Sequence, residues 1–234
     1  MQDADEPVGE PAAAALRRLL AAHATKAVDL RLTACIASEN QPGGAPPSPT
    51  FTTFQQRLQQ LQLDHLEILP APMTLDVAYL GQAVLAGEDD VSLMERIHAV
   101  LFPAQSFALQ DALRFAPPGQ DAEKTKRKWR NRLLDVQALW CHLHHGGDVF
   151  VTTDVDFLSN RRQLAQLGAS MICTRARLWT TFPSIAAPVR SHRRSPPWPG
   201  TLPCSRPGHP LPPGAKEEAV LTLASQPRKV VDLD

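Results

Sequence analysis

Gly147-Asp148-Val149-Phe150-Val151-Thr152-Thr153-Asp154 decides the reading of this chain. It is an unbroken β-branched and aromatic run that stops at an acid. A strand covered on both faces has this pattern, because neither side of it needs to be polar. Upstream, Trp129, Leu133, Val136, Trp140 and Leu143 recur at steps of four, three, four and three, which stacks them in one stripe of a helix. Gly146 and Gly147, which tolerate positive φ, end that helix. Downstream, a helix from about Asn160 to Leu167 stops at Gly168, and Ser170 to Thr174 forms the next strand. Strand, helix and strand in this order predict a right-handed parallel crossover, with Asp154 at the carboxyl end of its strand, where open α/β sheets keep their sites.

The same alternation extends towards the N-terminus. Residues 1–10 are polar and are expected to be disordered; Pro11 to His23 reads as a helix with Leu16, Leu19 and Leu20 on one side, and Val28 to Thr33 as a short strand. Ala34 to Glu39 reads as a short helical continuation before a proline-rich loop that ends at Pro49. Thr53 with Gln56 suggests a capping box for a helix through Leu58 and Leu61, followed by a strand from Leu66 to Leu69 that Pro70 terminates. Two helical stretches are expected between Thr74 and Phe102, the second opened by Asp90 and carrying Val91, Met94, Ile97 and Leu101. With the loop around Pro117-Pro118-Gly119, residues 74–125 form a helical insertion over the sheet. From Pro183 onward eleven prolines in 52 residues mark a Pro/Arg-rich tail, expected to be disordered, over 183–234.

Composition bounds the function. With 43% apolar residues the chain can bury a core, and 24 basic residues balance 24 acidic ones, so any electrostatic targeting is local rather than global. No window approaches the roughly eighteen apolar residues of a membrane span, and the acidic start is the wrong sign for a secretory signal, so a cytoplasmic location with no membrane contact is expected. Cys35, Cys141, Cys173 and Cys204 form no CxxC pair, which argues against a zinc ribbon or a disulfide framework. Cys141-His142-Leu143-His144-His145 looks metal-like, but only Cys141 and His145 share a face, and a partly exposed helix end is the simpler reading.

Asp135 falls beside the apolar stripe of its helix, and Asp154 and Asp156 follow the strand, so the three carboxylates are expected to face one another across a shallow cleft. Like charges brought together repel unless a cation holds them, and oxygen-only ligands suit Mg²⁺ or Mn²⁺. The plain alternative is that Asp156 or Ser159 caps the following helix. Lys124, Lys126, Arg127, Lys128, Arg130 and Arg132 put six positive charges within nine residues at the start of the Asp135 helix, either as a solvated face or as contacts to a polyanion.

Leu134-Asp135, Gly147 to Leu158 and Leu164 to Ala169 together resemble the second half of a PIN-like domain. The likeness covers about fifty residues well. It implies a three-layer α/β sandwich over 11–180, with a mostly parallel central sheet flanked by helices. It implies a metal-dependent endoribonuclease acting on RNA through bound Mg²⁺ or Mn²⁺, often the toxin of a toxin–antitoxin pair. By residue, it makes Asp135 and Asp154 metal-binding acids, Thr152 an orienting hydroxyl and Asp156 an auxiliary acid. Lys124, Lys126, Arg127, Lys128 and Arg130 become RNA contacts. Expected partners are RNA and a cognate inhibitor protein or a second copy. The family's first strand, ending in a further acid, has no counterpart near the N-terminus. Either Val28 to Thr33 replaces it, making Asp29 the acid, or Val28 to Thr33 is the second strand and Glu39 matches the family's glutamate. In the second case the sheet has a central gap, and a catalytically inactive relative acting by protein or RNA binding is the rival reading.

Overall fold

Four strands run one way and a fifth opposes them at the centre of the sheet. The structure, a computed structural model, describes residues 12–35, 37, 51–75, 77–79, 81–182 and 221–224, with 12, 13 and 221–224 described by backbone alone. In chain order the elements are α1 (Ala12–Ala24), β1 (Asp29–Thr33), α2 (Thr52–Gln60), β2 (Glu67–Leu69), β3 (Ala71–Pro72), β4 (Ala83–Val84), α3 (Glu88–Leu101), α4 (Leu109–Arg114), α5 (Ala122–His144), β5 (Val149–Val151), α6 (Val155–Ser159), α7 (Arg161–Ala165), β6 (Ile172–Cys173), α8 (Arg175–Thr181) and β7 (Leu221–Ala224). The main sheet has the order β2-β1-β7-β5-β6, and β3 pairs with β4 in a separate two-stranded ribbon.

The α/β class is therefore as expected. β1 pairs with β2 and β5 with β6 in parallel, whereas β7 is antiparallel to both β1 and β5. Val28 to Thr33 is thus not the middle of a continuous parallel sheet. It flanks a slot that a short segment of the Pro/Arg-rich tail fills from the opposite direction. This corrects the expectation of disorder for 221–224; the other residues of the tail, and residues 1–10, lie outside the described residues.

Burial explains the strand assignments. Val149, Phe150 and Val151 are all buried, and since neighbouring side chains in a strand point to opposite faces, both faces of β5 are covered. Leu30 and Leu32 of β1 are buried while Asp29 and Arg31 are half-exposed, the alternation of a strand with one wetter face. Trp140, Phe150 and Phe157 are fully buried, and Phe150 and Phe157 lie 5.1 Å apart at an angle of 56°. Burying side chains of this size stabilises by about 1.5–3 kcal/mol each.

Helix α5 organises the molecule. From Leu133 to His142 every residue except Asp135 is buried, so the single stripe read from the sequence widens into a helix enclosed on nearly all sides. Gln137 donates through Nε2 to the Pro72 carbonyl at 3.2 Å and to Thr74 Oγ1 at 2.9 Å, and Trp129 Nε1 donates to the Phe107 carbonyl at 2.8 Å. A buried helix needs such bonds, because its polar groups have no water to turn to. Gly146 takes φ +66° at the end of α5 and Gly168 φ +109° before β6, as their positions suggested.

The insertion differs from expectation. Only the second of the two helical stretches forms among the described residues between 74 and 102, where the first gives way to turns and β4. Asp90 does not open α3 but sits in its first turn, accepting from the Gly87 amide through Oδ2 at 2.9 Å. α2 begins without a side-chain cap, so the Thr53 and Gln56 capping box does not form. The expected Asn160 to Leu167 helix forms as α7 (Arg161–Ala165), and a further short helix that was not expected, α6, precedes it and ends at Asn160.

Candidate functional site

At the carboxyl end of β5 the backbone turns sharply, and side chains hold the turn. Thr152, only 3% exposed, accepts from the Asp154 amide through Oγ1 at 3.0 Å. Asp154 then caps α6, with Oδ1 accepting from the Asp156 amide at 2.6 Å and the Phe157 amide at 3.4 Å. The reading that Asp156 or Ser159 is the cap is therefore corrected. Asp154 stands directly before the helix with extended backbone, which is where a cap must stand. Asp156 lies in the first turn of α6 and is exposed, as is Thr153.

Asp135 is half-buried on α5, the one interruption in a buried segment. By helix rise it lies about 14 Å before the end of α5. The chain then returns along β5, and Asp154 lies about 20 Å from the same turn by strand rise. Among the described residues, however, no three His, Cys, Asp or Glu side chains gather closely enough to hold a metal ion, so Asp135, Asp154 and Asp156 do not make a three-ligand centre. Glu39 lies outside the described residues.

Asp29, the other acid considered, is occupied elsewhere. Its Oδ2 accepts from Arg31 Nε and Nη2, each at 2.8 Å, at the start of β1 and away from the strand's carboxyl end. Arg31 also reaches Glu67 at 2.9 Å, which ties β1 to β2.

The basic run divides in two. Lys124, Lys126, Arg127 and Lys128 are exposed, and Lys126 pairs with Glu123 at 2.7 Å. Arg130 is half-buried, with Nε enclosed and without a hydrogen-bond partner among the described residues. Arg132 is also half-buried; burial, and after it the charge of the Arg132 guanidinium, hold His98 below the ordinary histidine range. Lysines and arginines at 124–128 therefore face solvent, while the last two cations of the run turn towards the protein.

The histidine and cysteine segment is corrected more strongly. Cys141 and His142 are fully buried rather than part of an exposed helix end. Cys141 Sγ lies 3.9 Å from Cys35 Sγ and 3.5 Å from the Pro70 carbonyl oxygen, which His145 Nε2 also approaches at 3.2 Å. Both cysteines are free thiols. Neither ring nitrogen of His142 has a hydrogen-bond partner among the described residues, and burial pushes its pKa down to about 4, against a weaker opposing pull from Asp148. Spacing alone could not show this, because helical position 142 is buried only where β5 lies against it, with Phe150 at 5.4 Å.

No helix among the described residues is long and apolar enough to cross a membrane. Searches of family models, curated proteins and solved structures find no match.

Proposed function

We propose that this chain is a PIN-like three-layer domain that binds RNA, with its carboxylate turn serving as structure rather than as a complete catalytic centre. The exposed cations Lys124, Lys126, Arg127 and Lys128 carry this reading. They lie on the first turns of α5, about 24–30 Å from its C-terminal end by helix rise. A flexible row of lysines and arginines there suits the phosphates of a single strand, which are held by charge without sequence readout. Asp154 supports the same reading, since one of its oxygens is committed to two backbone amides.

A second reading, a Mg²⁺- or Mn²⁺-dependent endoribonuclease, is favoured by one observation: Asp154 Oδ2 takes no part in the cap. Mg²⁺ is often held by one or two carboxylates together with substrate phosphates, so Asp135 and Asp154 would be its ligands and Thr152 the residue that fixes the turn. In either reading a cognate inhibitor protein or a second copy is a further partner to test.

Fluorescence anisotropy with labelled single-stranded RNA, followed by gel analysis of the same mixtures with Mn²⁺, separates the two. Binding without cleavage, weakened by Lys124→Gln with Arg127→Gln and Lys128→Gln, supports the binding reading. Mn²⁺-dependent cleavage that Asp154→Asn abolishes replaces it with the nuclease. Absence of binding and of cleavage removes both.

A further inference from the structure

We infer that the open edge of β6 carries a binding site for a phosphate monoester of about nucleotide size. An open cavity of about 280 Å³ lies there, lined by Arg161 and Arg162 of α7, Arg177 of α8, and Ser170 and Ile172 of the strand and its approach. No carboxylate lines it, and neither Asp135 nor Asp154 does, so it is separate from the turn described above. Among the described residues no carboxylate lies within ion-pairing distance of Arg162 or Arg177. Arg162 and Arg177 repel each other around one cavity, and an anion between them relieves that repulsion.

The donors suit phosphate in particular. A guanidinium presents paired N–H groups that match two oxygens of a phosphate, and two of them, Arg162 and Arg177, match a dianion better than a singly charged carboxylate. The strand adds one more donor. β5 takes the Met171 and Cys173 carbonyls through the Phe150 and Thr152 amides, so in a parallel ladder the N–H of Ile172 faces the opposite, open side. Ser170 supplies a hydroxyl, while that of Thr181 already donates to the Arg177 carbonyl at 3.0 Å. Ala165 and Met171 line the remainder with apolar surface. At about 280 Å³ the space lies near the lower end of small-ligand sites and holds a phosphate with one modest organic group.

The ester has two sources, a free nucleotide or the terminal phosphate of an oligonucleotide. Isothermal titration of the full chain with adenosine monophosphate, adenosine and inorganic phosphate tests the site. A parallel titration with a tetranucleotide bearing or lacking a 5′-phosphate tells the sources apart. The expected result is saturable binding of the monophosphate, at least tenfold tighter than adenosine or inorganic phosphate. Arg162→Gln and Arg177→Gln should each weaken it tenfold or more without moving the thermal midpoint, since both side chains are exposed. Arg177→Lys should recover part of the loss. Tighter binding of the 5′-phosphorylated tetranucleotide than of its unphosphorylated form assigns the oligonucleotide end, and equal binding assigns the free nucleotide. No saturable binding of the monophosphate, equal binding of adenosine or of inorganic phosphate, or indifference to both glutamine variants overturns the inference.

Discussion

Asp154 and His142 show how one residue can be visible in a sequence while its role is not. The end of the β-branched run placed Asp154 at the carboxyl end of a strand, and the structure keeps it there. Whether it caps or stands free depends on where the strand stops, and a shift of one residue would have passed the cap to another side chain. Asp154→Ala should lower stability by about 1 kcal/mol through loss of the cap, whereas Asp154→Asn should change it little. Urea unfolding checks this, and equal destabilisation by both would mean that the carboxylate charge, not the cap, is what matters. His142 was harder to read, since a polar residue near a helix end is ordinarily wet. Buried without a hydrogen-bond partner among the described residues, it stays neutral in the fold with its pKa at about 4, while in the unfolded chain it titrates near 6.5. The unfolded state therefore takes up a proton first as pH falls. Stability from this group is complete above about pH 6.5, declines between 6.5 and 4, and is fully lost below 4, a change of about 3 kcal/mol. His142→Leu should flatten this part of the stability profile; a profile that keeps its full slope would show that His142 has a partner or water the geometry does not include.

At the scale of elements, local signals succeeded where the chain closes short loops and failed where it does not. α1, β1, α5 and β5 were legible because each carries its own periodicity and stop signal. β3 and β4 were not, since a two-residue strand has no periodicity to read. β7 was the largest failure. It lies in a proline-rich context, and its place between β1 and β5 is set by two strand edges more than a hundred residues away in one case and seventy in the other. The gap at the centre of the sheet could be inferred; its occupant could not. Thr222 stands opposite both Arg31 and Phe150, at the middle of the slot. Proline there removes an amide from the ladder, so Thr222→Pro should destabilise by on the order of 1–3 kcal/mol. Hydrogen exchange gives a second measure: amides of β1 and β5 should lose protection in the Thr222 variant. Unchanged stability and protection would place the segment outside the sheet.

Over the whole molecule the charges cancel, 24 against 24, so attraction to a polyanion cannot come from a general field and must come from where the cations stand. That makes its salt dependence diagnostic. Each phosphate contact with a single strand releases counterions, so the logarithm of affinity falls against the logarithm of salt with a slope of about −0.7 per contact. Four exposed cations at 124–128, one of them paired with Glu123, give three to four contacts. The expected slope for single-stranded RNA is then about −2 to −3. Replacing Lys124, Arg127 and Lys128 by glutamine should bring it to about −1 or less. Glu123→Gln should steepen it, because Lys126 is released from its partner. Arg130 and Arg132, turned towards the protein, should contribute little when replaced singly. Anisotropy titrations from low to physiological salt measure all five slopes. A slope near zero for the unaltered chain, or one indifferent to the three glutamines, would mean that the run is a solvated helix face and that RNA, if bound at all, lies elsewhere.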